Sequence, residues 1–169
     1  MKRKQLTLFL DEVEAQSIES IRQRFNPQQY KLIKSHITLC REDEIEKLEE
    51  VLKKLDSLRA ESFELQTDGL RRFSEGKGLL IAIQDEDRKF QKLREMILQK
   101  GDTKPREHKA HITLMHPRNS TCNDKIFQEI RSIEIPKILR FSSISLIEQE
   151  MGKEWVPLKT FLLNDTSKG

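Results

Sequence analysis

The chain has 169 residues, with 31 Lys or Arg against 28 Asp or Glu, so its formal net charge is only +3. That length suits one domain, or two small lobes sharing a core. So balanced a charge excludes a broad cationic coat for nucleic acid and leaves any attraction for phosphate to be local. The apolar stretch that follows Met1-Lys2-Arg3-Lys4 contains a Thr and ends at Asp11, too short for a signal-peptide core. No later apolar run approaches membrane-spanning length. Cys40 and Cys122 lie far apart with no CxxC spacing, which is neither a disulfide framework nor a zinc signature. A reducing, cytoplasmic setting is expected.

In chain order, Leu6, Leu8 and Leu10 alternate with Thr7 and Phe9 as in a strand buried on one face, and Ile18, Ile21 and Phe25 then recur at helical spacing. Residues from Leu32 to Cys40 read as a second strand. Ile45, Leu48, Leu52 and Leu55 form a helical stripe whose first turn carries Glu42, Asp43 and Glu44. Two strand-like runs, Phe63 to Arg72 and Leu79 to Ile83, are joined through Glu75-Gly76-Lys77-Gly78 as a hairpin. Phe90, Leu93 and Ile97 mark a helix, Lys109 to Met115 a strand, and Ile126, Ile130 and Ile133 a further helix after a loop. Ile138 to Ile147 and Trp155 to Leu163 close the chain as a hairpin-like pair turning near Gly152-Lys153, and a polar tail begins at Asn164.

Two identical tetrapeptides stand in this order, His36-Ile37-Thr38-Leu39 and His111-Ile112-Thr113-Leu114, each on an expected strand and each followed by a helix and a hairpin. Strand parity puts His36 with Thr38, and His111 with Thr113, on one face, and the aliphatic residues on the other. Opening a phosphate ester requires that an attacking oxygen lose a proton and a leaving oxygen gain one. Two imidazoles titrating near neutrality suit both tasks, and threonine hydroxyls can donate to the non-bridging oxygens. A single His-x-Thr on a strand is usually structural; the exact repetition favours the catalytic reading.

Around this pair stand secondary candidates. Lys34 and Lys109 precede their histidines by two residues, and Arg41 and Arg118 follow their strands; all four carry charge that phosphate attracts. Phe9, Tyr30, Phe73 and Trp155 are candidates to stack on a base, with Phe9 singled out by its parity opposite to Leu6, Leu8 and Leu10. Cys40 and Met115 share the parity of their histidines, with core packing the stronger reading. His108, His111 and His116 do not make a metal cluster, because His108 has the opposite parity to His111 and no Cys or acidic partner sits at ligand spacing.

The paired His-x-Thr-x motifs resemble those of the two-histidine phosphoesterases, the superfamily that includes 2′-5′ RNA ligase-like proteins and cyclic nucleotide phosphodiesterases. Both motifs match without substitution, and the resemblance spans nearly the whole chain. It implies His36 and His111 as acid and base, Thr38 and Thr113 as phosphate ligands, no metal or other cofactor, and a nucleotide or RNA terminus as substrate.

The expected fold is α+β and bilobal, with duplicated β-α-β-β halves, two antiparallel sheets flanking a central cleft and helices outside. It forms one domain over residues 1–163, monomeric, with 164–169 as the tail. The expected activity is hydrolysis of a 2′,3′-cyclic or related cyclic phosphate. Joining or cleaving 2′-5′ bonds in oligonucleotides, and a non-catalytic nucleotide-binding module, are the alternatives. Which histidine is acid and which is base stays open at this level.

Overall fold

The computed structural model of the protein describes residues 1–165. Its strands are β1 (Lys2–Phe9), β2 (His36–Cys40), β3 (Phe63–Phe73), β4 (Gly78–Gln84), β5 (His111–Met115), β6 (Ile138–Phe141), β7 (Ser143–Glu150) and β8 (Val156–Leu162). The helices are α1 (Gln16–Phe25), α2 (Pro27–Leu32), α3 (Leu48–Asp56), α4 (Lys89–Leu98) and α5 (Asp124–Arg131).

Local chemistry fixes where the helices start. Asp85 accepts from the backbone N–H groups of Phe90 and Gln91 at 3.0 and 3.2 Å, which satisfies the open end of α4. The Asn123 side chain accepts from Ile126 N–H at 2.8 Å as the cap of α5. Pro27 opens α2, where its fixed φ fits and its missing N–H costs nothing. That helix consumes Leu32, so the second strand begins at His36 and not at Leu32 as the alternation implied. Likewise Glu42–Glu44 form a separate 3-10 turn ahead of α3, because the Glu44 carboxylate turns back to accept from Arg41 N–H at 3.0 Å.

Every strand belongs to one sheet, in the order β6-β3-β4-β5-β2-β1-β7-β8. Here the two-sheet expectation is corrected. β2 and β5 pair antiparallel through Ile37 and Ile112, and that contact joins four strands on either side into a single surface. The hairpins are also exchanged: β4 of the first pairs with β5, not β2, while β7 of the second pairs with β1.

The run expected to span Ile138 to Ile147 breaks at Ser142. Before it, β6 pairs with β3 at one edge of the sheet; after it, β7 lies one strand from the other edge. A single residue bridges that separation only if the sheet curls until its edges approach. Hydrogen bonds close the gap: Leu163 N–H to Ser142 O at 2.9 Å, Asn164 N–H to Ala60 O at 2.8 Å and Ser62 N–H to Asn164 O at 2.7 Å. Asn164 is thus tied to the sheet, Asp165 meets Arg140 at 3.2 Å, and the rest of the expected tail, 166–169, lies outside the described residues.

Leu6, Leu8, Ile37, Leu39, Leu79, Ile81, Ile112 and Leu114 are fully buried on one face of the central strands, with Ile18, Ile21, Phe90 and Ile97 of α1 and α4 in the same core. Burial of such aliphatic side chains, at about 1.5–3 kcal/mol each, fixes strand parity. The opposite face is then left to the polar residues of the motifs.

Candidate active site

Because Ile37 stands opposite Ile112 in an antiparallel register, one step along each strand sets His36 opposite Thr113 and Thr38 opposite His111. All four side chains share the face away from the core and are half-buried. Directly opposed residues in such a ladder have Cβ atoms roughly 4.5–5.5 Å apart. The two motifs therefore make one patch, with each histidine beside the other motif's threonine.

Both rings are held the same way. His36 Nδ1 lies 2.8 Å from the carbonyl oxygen of Lys34, and His111 Nδ1 lies 2.9 Å from that of Lys109. A carbonyl only accepts, so each Nδ1 carries hydrogen and each Nε2 is left as the working atom. Burial lowers the pKa of His36 to about 4; its bond to Lys34 opposes the shift, and the nearby Arg22 and His111 add to it. His36 is accordingly a neutral imidazole near pH 7, with a free lone pair on Nε2. The Phe9 ring stands edge-on to it, 6.1 Å between centroids, across the β1–β2 ladder.

His36, Thr38 and Thr113 line a cleft of about 210 Å³ whose other walls are Arg3, Gln5, Arg22, Gln29, Ile33, His116, Arg118 and Trp155. His111 shares the strand face of Thr113 but does not line this cavity. Arg22 is buried on α1, donating to Glu19 at 2.5 Å and to Ile33 O at 2.7 Å, and its Nε has no partner. No carboxylate side chain lines the cleft. The loop bearing His116 and Arg118 is pinned to the α1–α2 junction, where Asn26 donates to Asn119 at 3.0 Å and accepts from His116 N–H at 3.1 Å.

The structure separates the other sequence candidates. Arg118 lines the cleft, and so does Trp155. The ammonium groups of Lys34 and Lys109 do not; Lys34 is exposed and reaches Glu12 at 3.5 Å, and it is the two backbone carbonyls that touch the histidines. Arg41 is exposed and outside the cleft. Phe9 contacts His36 without lining the cavity, and Cys40 and Met115 are fully buried in the core. His108 wedges half-buried between Phe90 and His111, with ring centroids 6.2 and 5.9 Å away. Among the described residues, no three His, Cys, Asp or Glu side chains are grouped to hold a metal ion.

Sequence reasoning missed Arg22, Arg3, Gln5 and Gln29. Arg22 left one signal, an arginine set among Ile18, Ile21 and Phe25 on the buried side of α1.

The family model of the 2′-5′ RNA ligase superfamily matches residues 9–153. The chain belongs to that superfamily. Solved structures similar to it give the same architecture. Escherichia coli LigT in complex with 3′-AMP is 17% identical with a TM-score of 0.68, over 96% of this chain and 98% of LigT. The apo form of LigT gives a TM-score of 0.70 at 17% identity over the same shares. TT0787 of Thermus thermophilus is 17% identical with a TM-score of 0.63, over 97% of this chain and 99% of that one. At such identity the likeness establishes the fold. No curated protein matches this superfamily member by sequence.

Proposed function

We propose that this chain is a metal-independent phosphodiesterase that hydrolyses a 2′,3′-cyclic nucleotide phosphate by general acid–base catalysis from His36 and His111. The observation that carries the reading is the Ile37–Ile112 register, which sets both imidazoles and both threonine hydroxyls on one half-buried patch.

In this reading His36, kept neutral by burial, takes a proton from water through Nε2 as the water oxygen attacks phosphorus. The bond from phosphorus to one ribose oxygen breaks, and His111 in its cationic form gives that oxygen its Nε2 proton. One proton enters the pair and one leaves it, so each cycle ends with the two protonation states exchanged, and proton exchange with solvent resets them. Thr38 and Thr113 donate to the non-bridging oxygens, and Arg22 beneath the cleft offsets charge building there. Each of the two proton transfers is asked for roughly 10²–10⁴-fold of rate. The family match and the bound 3′-AMP of LigT support a nucleotide as substrate.

The test is a panel of nucleoside 2′,3′-cyclic phosphates and 2′-5′ dinucleotides incubated with the protein in EDTA. Opening of the cyclic phosphates to monoesters is expected. Turnover of the 2′-5′ dinucleotides alone would transfer the reading to 2′-5′ bonds, and activity that disappears with chelator would overturn it.

A further inference from the structure

We propose that Gln91 and His108 are positioning residues for His111: together they hold the chain ahead of β5 on the path that keeps the Lys109 carbonyl against Nδ1 of His111 and leaves Nε2 free at the reacting centre. This rests on the reading of His111 as the proton donor and adds what fixes that donor in place.

The two histidines are anchored alike but carried differently. Lys34, whose carbonyl holds His36, lies between two residues bonded into the framework: Ile33 O accepts from the buried Arg22 at 2.7 Å, and Ser35 O from Leu10 N–H at 3.3 Å. Lys109 has no such frame. Residues 104–109 belong to no helix or strand and make no backbone-to-backbone hydrogen bond among the described residues. Side chains of α4 hold this segment instead. Arg94 donates to Arg106 O at 3.0 Å, and Gln91 Nε2 donates to His108 O at 2.5 Å, one residue ahead of the carbonyl that accepts from His111. Arg94 also binds Leu39 O and Glu44, whereas the Gln91 side chain makes no other hydrogen bond among the described residues. Its donation serves this segment alone.

The His108 ring supplies the second hold. It stands between the fully buried Phe90 and His111, with centroids 6.2 and 5.9 Å away and planes tilted by 39° and 58°, within the reach of paired aromatic rings. Its Nε2 is buried without a partner, so the ring acts there by shape, filling the space between α4 and the catalytic imidazole. Burial first, then the cations Arg94 and Arg41 and the nearby His111, lower its pKa to about 4 against the opposing Glu44. Near neutrality the wedge therefore sets no charge against the His111 imidazolium. Phe9 stands beside His36 in the same way, at 6.1 Å.

Once His111 has given its Nε2 proton to the ribose oxygen, the neutral ring must keep hydrogen on Nδ1, the form that Lys109 O holds. A segment free to shift would let the ring turn, and a misplacement of about 1 Å can cost about a hundredfold in rate.

The experiment measures kcat and KM on a nucleoside 2′,3′-cyclic phosphate for Q91L, Q91E, Q91K, H108A and H108F, beside NMR of the imidazole nitrogens in each protein. Q91L and Q91E, which lack the donor, and H108A, which lacks the wedge, are expected to lose at least about tenfold in kcat with KM nearly unchanged. In the same three proteins neutral His111 should begin to populate the tautomer with hydrogen on Nε2. Q91K keeps a donor and H108F keeps a ring, so both should return most of the rate and the wild-type His111 spectrum.

A Q91L protein with kcat within about twofold of wild type, or with unmoved His111 resonances, would overturn the role of Gln91, as would an equal loss in Q91K. A loss in H108F as large as in H108A would overturn the wedge. Absence of turnover in the wild type would instead sink the reaction assigned to the histidines, while the imidazole spectra would still decide whether Gln91 and His108 hold the ring.

Discussion

Ile37 of β2 and Ile112 of β5 face each other across the only ladder contact between those strands, and both are fully buried. The pair is the hinge between four-stranded halves, and it alone decides which motif side chains become neighbours on the other face. Because side chains alternate, a slip of one residue at this contact would send one motif's histidine into the core.

Replacing Ile37 with Ala is expected to destabilise the protein by about 2–5 kcal/mol, the usual cost of emptying a filled aliphatic site. Its activity should fall by more than the unfolded fraction explains, because the His36 patch loses its backing. Urea denaturation run beside turnover of the same sample separates these effects.

His36 should titrate near pH 4 and not near its ordinary 6.5, because burial opposes the cation. An NMR titration of the imidazole checks this, and the acidic limb of kcat/KM for the free enzyme should fall at the same pH. Between about pH 6.5 and 4 the unfolded chain holds a proton on His36 that the folded chain does not. Stability from this group is therefore complete above 6.5 and is lost as the pH falls through that window.

Arg22 adds to that depression but ranks below burial. R22M should therefore raise the His36 midpoint only part of the way back to its ordinary value and should raise KM for a cyclic phosphate. A midpoint unmoved by R22M would show that its charge is not felt at the ring.

At the far end of β2, Arg94 is fully buried and holds the chain together. It reaches Leu39 O at 2.5 Å, Glu44 at 2.6 and 3.1 Å, and Arg106 O at 3.0 Å. Burial pushes Glu44 up, but the bonds from Arg94 and Arg41 N–H prevail and leave it at about 2. R94A should cost about 3–5 kcal/mol, since it removes the buried partner of the Glu44 carboxylate and leaves it only Arg106 Nε at 3.3 Å and Arg41 N–H at 3.0 Å. The stability contributed by Glu44 is present above about pH 4.5 and lost as the pH falls towards 2, so R94A should flatten the wild-type decline there. Thermal melts of both proteins across that range are the check.

The four motif residues were legible in the sequence because a two-residue period and two identical tetrapeptides survive without structure. Their mutual positions were not, since pairing between strands 75 residues apart depends on the register of Ile37 with Ile112, and no local signal carries it. The single sheet was hidden for the same reason: Ser142 looks like any strand residue, and only the curl shows that it joins distant edges. Helix α2 was lost to the alternation that follows it, and Arg22 to the habit of reading arginine as surface.

The most direct test of two cooperating imidazoles is a double-mutant cycle on cyclic phosphate turnover in EDTA, with H36A, H111A and the double variant. Each single change is expected to cost roughly 10²–10⁴-fold in kcat, and the double variant should lose far less than the product of the two, as residues acting as one unit do. Turnover that survives either single replacement near the wild-type rate would contradict the account.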